Sequence, residues 1–238
     1  MTVSQTWHSE RLGTSVTLNR WGETGRPVLL FPTAGGDAAE VDRMGLVGAL
    51  SGLLAEGRIK VYSVDSVAGR SWLGQEDPLH SAWLQNQFDG YVRWEVVPFI
   101  HDDTGEIPIL TAGASMGAFN AVASLCRHPD VFGAAVGMSG TYDLEHWLRG
   151  AWSDDFYFSS PYHYLPGLDG DELERLRQRF IILATGTGDD ENPGSSWAMA
   201  DVLGARGIHN RVDNWPGWAH DWPTWRAMLP GYLHELTA

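Results

Sequence analysis

Short runs of consecutive apolar residues recur along the chain, and segments of helical length separate them. The first covers residues 28–31, and strands are expected again at 59–64, 107–112, 134–138, 180–185 and 211–214. A strand that is apolar at successive positions buries both faces, as in a parallel sheet covered by helices on either side. The intervening segments at about 38–55, 80–100, 116–127, 195–205 and 223–229 predict helices. Upstream, the alternation Ser15-Val16-Thr17-Leu18 and a turn at Gly13 predict a hairpin over residues 3–21.

Strands spaced by helices indicate βαβ units with right-handed crossovers, hence an α/β fold with a mostly parallel central sheet. No repeat, linker or low-complexity tract interrupts residues 1–238, so a single domain is expected. Residues 141–178 break the rhythm and are rich in aromatics, among them Trp147, Trp152, Phe156 and Tyr162. An excursion at the carboxyl edge of such a sheet is expected to lie over an active site, as a short lid-like insertion.

Chemistry enters at Gly113-Ala114-Ser115-Met116-Gly117, the pattern G-x-S-x-G. It follows an apolar strand and opens a helix, the strand–turn–helix setting in which a serine is exposed on a tight turn. Small flanking residues (Ala112, Gly113, Gly117, Ala118) let strand and helix approach closely enough. Gly137-Met138-Ser139-Gly140 also follows a strand, but it lacks the closing glycine, so Ser139 reads as a pocket or turn residue.

A serine hydroxyl needs a histidine to take its proton and a carboxylate to orient that histidine. In the α/β-hydrolase fold these follow the serine in the order acid, then histidine. His220 lies in the loop after the last strand, just before a helix start marked by Asp221 and Pro223. His209, placed before that strand, and His234, on a helix near the C-terminus, read as surface histidines. For the acid, the strand at 180–185 runs into Gly186-Thr187-Gly188-Asp189-Asp190-Glu191, and both Asp189 and Glu191 fit. The oxyanion hole needs two backbone N–H groups. One is expected from Met116, and the other from Ala34, with Thr33 as the alternative, in the loop after the strand at 28–31.

Composition narrows the partners. The chain has 238 residues, 43% hydrophobic and 19% charged, with a formal net charge of −14. Such a surface repels nucleic acid and anionic membranes and suits a small neutral or cationic substrate. Cys126 is the sole cysteine, so no intrachain disulfide forms; it reads as a small buried hydrophobe. The first residues show neither a basic start nor an apolar run, and no stretch is long enough to span a bilayer, so a cytoplasmic protein is expected. No phosphate-binding loop, metal-ligand spacing or full dinucleotide fingerprint occurs, and no cofactor or metal is expected.

The segments G-A-S-M-G, G-M-S-G-T-Y-D (137–143), Tyr157-Phe158-Ser159-Ser160-Pro161 and H-D-W-P-T-W (220–225) together resemble the putative-esterase family, which also holds esterase D and the antigen 85 mycolyltransferases. The resemblance runs from the strand at 28–31 to the last helix. It implies carboxylic-ester hydrolysis, or acyl transfer, through an acyl-serine and without a cofactor. Small cytoplasmic members with an acid loop reading G-x-G-x-x-E imply Glu191, whereas broader α/β-hydrolases imply Asp189. A non-catalytic binding protein on this fold is the reading from another class, and an ordered Ser–acid–His set counts against it. Trp222 and Trp225 share a helix face and read as packing residues; Trp147 and Trp152 could shape an acyl pocket.

Overall fold

A computed structural model describes residues 2–74 and 77–238. In chain order the first elements are β1 (Thr2–Ser9), β2 (Thr14–Trp21), β3 (Arg26–Phe31), α1 (Glu40–Arg43), α2 (Leu46–Ala49), α3 (Ser51–Ala55), β4 (Ile59–Val64), α4 (Val67–Leu73) and α5 (Pro78–Tyr91). Then come α6 (Val97–Thr104), β5 (Ile109–Ala114), α7 (Met116–Arg127), β6 (Phe132–Met138), α8 (Asp154–Ser159), α9 (Pro161–Tyr164) and α10 (Gly170–Arg177). The chain closes with β7 (Phe180–Gly186), α11 (Pro193–Ala205), β8 (His209–Trp215) and α12 (Trp222–Leu236). The eight strands form one sheet in the order β1-β2-β4-β3-β5-β6-β7-β8. The β1–β2 hairpin joins β4 antiparallel, and every pairing from β4 to β8 is parallel. This is the α/β-hydrolase fold.

Alternation within the apolar runs assigns each residue to a face. Leu29, Phe31, Tyr62, Val64, Ile181 and Leu183 pack on one side with α5, α6, α7 and α11. Their neighbours Val28, Leu30, Ile59, Val61, Ile182 and Ala184 pack on the other with α1–α3 and α12. A strand buried on both faces has no polar side to pattern, which is why its sequence reads as a continuous apolar run.

Several helices depart from the sequence expectation for identifiable reasons. The single helix expected over 38–55 is three short ones: Gly45, in the left-handed region (φ 78°), separates α1 from α2, and Leu50 (φ −91°, ψ 4°) separates α2 from α3. The helix expected over 80–100 instead runs from Pro78 to Thr104 and widens into a π-helical turn at Val92–Val96. Pro98, just beyond, has no N–H to give an i−4 carbonyl, and the wider turn accommodates it. Helix α12 was expected to stop before Pro230 but continues to Leu236. Its buried stripe (Trp225, Met228, Leu229, Tyr232, Leu233) anchors both sides of the proline, and packing overrides propensity. His209 opens β8 rather than preceding it.

The excursion at 141–178 is only partly an insertion. Its last helix, α10, buries Leu173 and Leu176 in the main core and serves as the crossover into β7. Its earlier part is held elsewhere: Leu144, Leu148 and Phe156 share a third apolar cluster with Ala34, Trp72, Met116 and Phe119.

Candidate active site

Ser115 stands between β5 and α7 with φ 57° and ψ −121°, a backbone conformation that costs a non-glycine residue of the order of 1–3 kcal/mol. Both glycines of the motif are there for steric reasons. A Cβ on Gly117 would collide with the Phe31 and Pro32 carbonyl oxygens, and one on Gly113 with the Gly117 backbone. The Ser115 N–H donates to the Met138 carbonyl at 2.9 Å, tying the turn to the end of β6.

Glu191 and His220 meet. His220 Nδ1 lies 3.7 Å from Glu191 Oε2, with the imidazole 26% exposed and the carboxylate side chain 1% exposed. The glycines of the acid loop explain how two loops come this close. A Cβ on Gly186 would strike the Trp218 carbonyl, and one on Gly188 would lie 2.7 Å from the Gly217 carbonyl. The histidine loop therefore rests directly on the acid loop. Asp189 is exposed, and it reaches His220 through its backbone, whose carbonyl accepts the His220 N–H at 3.0 Å. The geometry thus brings Glu191, not Asp189, to the imidazole. Asp221 caps α12 immediately after His220 by accepting the Thr224 N–H at 2.9 Å.

Two residues that the sequence did not single out for this role complete the network. Ser139 Oγ donates to Glu191 Oε1 at 2.5 Å and accepts from Trp225 Nε1 at 3.0 Å. The Trp225 ring also stands edge-on to the His220 imidazole, at 5.2 Å and 86°. Ser139 is therefore engaged and is no rival nucleophile, and Trp225 does more than pack. Ser139 has φ 50°, a second strained serine beside the first. Burial raises the Glu191 pKa, but the neighbouring His220 imidazole and the Ser139 hydrogen bond outweigh it and leave the carboxyl below its ordinary value.

In the loop after β3, the Thr33 N–H donates to Glu40 Oε2 at 2.8 Å and its hydroxyl to the same carboxylate. The Thr33 amide, the alternative second oxyanion donor, is thereby engaged by Glu40. Ala34 is buried in one cluster with Met116, the first residue of α7. Among the described residues neither the Ala34 nor the Met116 amide donates to a backbone carbonyl. Helix α4, which sequence reasoning missed, holds this loop. Its Gly69 lies where a Cβ would press on the Ala34 carbonyl and Cα, and the Ser66 N–H donates to the Gly36 carbonyl at 3.1 Å. A glycine in mid-helix weakens the helical signal, and here close contact with the loop requires it.

A further set, Asp143, Glu145 and His163, gathers potential ligand atoms within 4.8 Å. Hydrogen bonding within the set and to Ser160 accounts for it. His163 contacts Ser160 Oγ at 2.8 Å and Glu145 Oε2 at 3.3 Å, and Asp143 accepts the Glu145 N–H. Among the described residues no helix is long and apolar enough to cross a membrane.

Comparison with solved structures finds the same fold in several hydrolases. A ferulic acid esterase superposes with a TM-score of 0.78 at 19% identity, over 100% of this chain and 97% of that one. FphF, a fluorophosphonate-binding serine hydrolase from Staphylococcus aureus, gives 0.76 at 16% identity over 100% and 98%. An S-formylglutathione hydrolase from Agrobacterium tumefaciens gives 0.76 at 15% over 99% and 94%. No curated protein matches the chain in sequence. The sequence profile of the "Putative esterase" family matches residues 55–236, most of the chain, from before β4 to the end of α12. The chain therefore belongs to the Putative esterase family, and it is an enzyme that acts on carboxylic esters.

Proposed function

We propose that the ester is hydrolysed through an acyl-serine at Ser115, with His220 as general base and Glu191 as the orienting acid. The observation that carries this is the buried Glu191 carboxylate on the Nδ1 side of His220. A proton on Nδ1 faces the carboxylate, which leaves Nε2 to accept the Ser115 hydroxyl proton. At 3.7 Å the contact is longer than a hydrogen bond, and such contacts often tighten when substrate binds.

Ser115 Oγ bonds to the acyl carbon, and the carbonyl electrons move onto oxygen. The Met116 and Ala34 amides receive that oxyanion, without a cofactor. Collapse expels the alkoxide, which takes the proton from the imidazolium and leaves as the alcohol. Water then attacks the acyl-enzyme, its proton passing to His220, and collapse releases the acid and restores the serine. Leu144, Leu148 and Phe156 share a cluster with both oxyanion residues, which supports the earlier part of the excursion as a cover for this site. Residence in the cytoplasm belongs to the same reading, supported by the lone buried thiol of Cys126.

Turnover of p-nitrophenyl esters of graded acyl length tests this. The expected products are the free acid and p-nitrophenol, in unchanged ratio when a simple alcohol is added. Acyl transfer to the alcohol as the main outcome would make the protein an acyltransferase using the same residues.

Ser139 and Trp225 are positioning residues in this scheme. A hydrogen bond to a charged group contributes about 1.5–3 kcal/mol. Ser139→Ala is therefore expected to lower kcat about ten- to a hundredfold with KM close to wild type, and to lower the thermal midpoint. The same variant removes a donor that holds the Glu191 pKa down. The carboxylate then protonates at a higher pH, so low-pH loss of activity should begin earlier in an acid titration. A kcat and pH profile identical to wild type would remove Ser139 from the mechanism.

A further inference from the structure

The proposed oxyanion donors share their apolar cluster with a wall of rings. Trp72 is buried in that cluster beside Ala34, Met116 and Phe119, and Trp147, half-buried, packs against it. The two indoles lie 6.2 Å apart with a 34° tilt, and His146 extends the series, 4.1 Å from Trp147. Trp147 belongs to the segment after β6 and Trp72 to α4, so the wall joins the carboxyl-edge excursion to the helix behind the oxyanion loop.

The wall is held rigidly. Trp72 Nε1 donates to Gln85 Oε1 at 3.2 Å, and Gln85 Nε2 donates to Asn120 Oδ1 at 2.9 Å. All three residues are buried, and Asn120 is on α7, the helix that Ser115 precedes. The chain is paired as far as the Asn120 carbonyl, while Asn120 Nδ2 has no partner among the described residues, and pairing of this kind favours one arrangement. This one fixes an indole relative to the elbow helix.

We propose that Trp147, backed by Trp72, is a specificity-determining residue that lines the acyl side of the site and favours planar aromatic acyl groups. This rests on the Ser115 reading above. An acyl carbonyl held by the Ala34 and Met116 amides sits over the cluster that those residues share with the indoles. Among the described residues packed in that cluster only Trp147 is part-exposed, so its ring is the one a ligand can reach. A flat ring stacks on or meets the edge of an indole with a geometry that a flexible chain of equal carbon count cannot match. A fixed wall also spares the ordering that a mobile one would require on binding.

The experiment compares p-nitrophenyl benzoate with p-nitrophenyl heptanoate, which share a leaving group and an acyl carbon count. The readout is the ratio of their kcat/KM values. Wild type is expected to prefer the benzoate. Trp147→Leu should lower the benzoate-to-heptanoate ratio about tenfold, the equivalent of about 1.4 kcal/mol. Trp147→Phe, which keeps an aromatic face, should restore most of the ratio. A ratio unchanged in Trp147→Leu, or both esters falling together in both variants, overturns the acyl-wall assignment while leaving Ser115 chemistry intact. Failure of wild type to hydrolyse either ester would instead contradict the esterase reading on which the assignment rests.

Discussion

Ser115→Ala is expected to lower kcat by about 10⁶-fold while the protein remains folded. Loss of the nucleophile in a well-studied serine protease has an effect of that order, which corresponds to roughly 8 kcal/mol of transition-state stabilisation. The residual rate comes from substrate binding and the oxyanion donors, which the substitution leaves in place. The strained backbone allows a second reading of the same position. Ser115 holds φ 57° and ψ −121°, where a side chain is penalised and glycine is not. Ser115→Gly should therefore be as inactive as Ser115→Ala yet more stable by about 1 kcal/mol, seen as a higher thermal midpoint. Activity lost together with the fold in both variants would mean that the serine had been credited with chemistry it does not perform.

Glu191→Gln should lower kcat by about 10⁴-fold, the scale set by loss of the orienting acid in a protease triad, or about 5 kcal/mol. The amide keeps the volume of the side chain but carries no charge to balance the imidazolium. It also deprives Ser139 of a charged acceptor. Asp189→Asn removes a charge that is exposed and screened, an effect worth less than about 1 kcal/mol. Its backbone carbonyl, the part that touches His220, is unaltered. The expected change in kcat is therefore at most a few-fold. Steady-state kinetics on the two purified variants separates them, and a crippled Asp189→Asn beside a near-normal Glu191→Gln would reverse the assignment.

What the sequence could tell depended on how local each signal was. The strands at 28–31, 59–64 and 180–185 were legible because a strand buried on both faces shows its burial residue by residue. Ser115 was legible because its turn demands small neighbours within a few positions, and Gly113 and Gly117 supply them. The choice between Asp189 and Glu191 was not local. It depends on how the histidine loop rests on Gly186 and Gly188, a contact between segments separated by some 30 positions of sequence. Ser139 and Trp225 were hidden for a related reason: each has an ordinary local role, in a turn and in a helix stripe, and a second one visible only when β6, β7 and α12 converge. Helix α4 was missed because Gly69, needed against Ala34, is a poor helix former.

The central claim is that Ser115 is activated for attack on an acyl carbon, and covalent labelling tests it most directly. Native protein treated with a fluorophosphonate probe is digested and the modified peptide is sequenced by mass spectrometry. The account predicts one phosphonate adduct per chain, on Ser115, formed far more slowly in Glu191→Gln and absent in Ser115→Ala. An adduct on another residue, Ser139 included, or labelling that persists undiminished in Ser115→Ala, would contradict it.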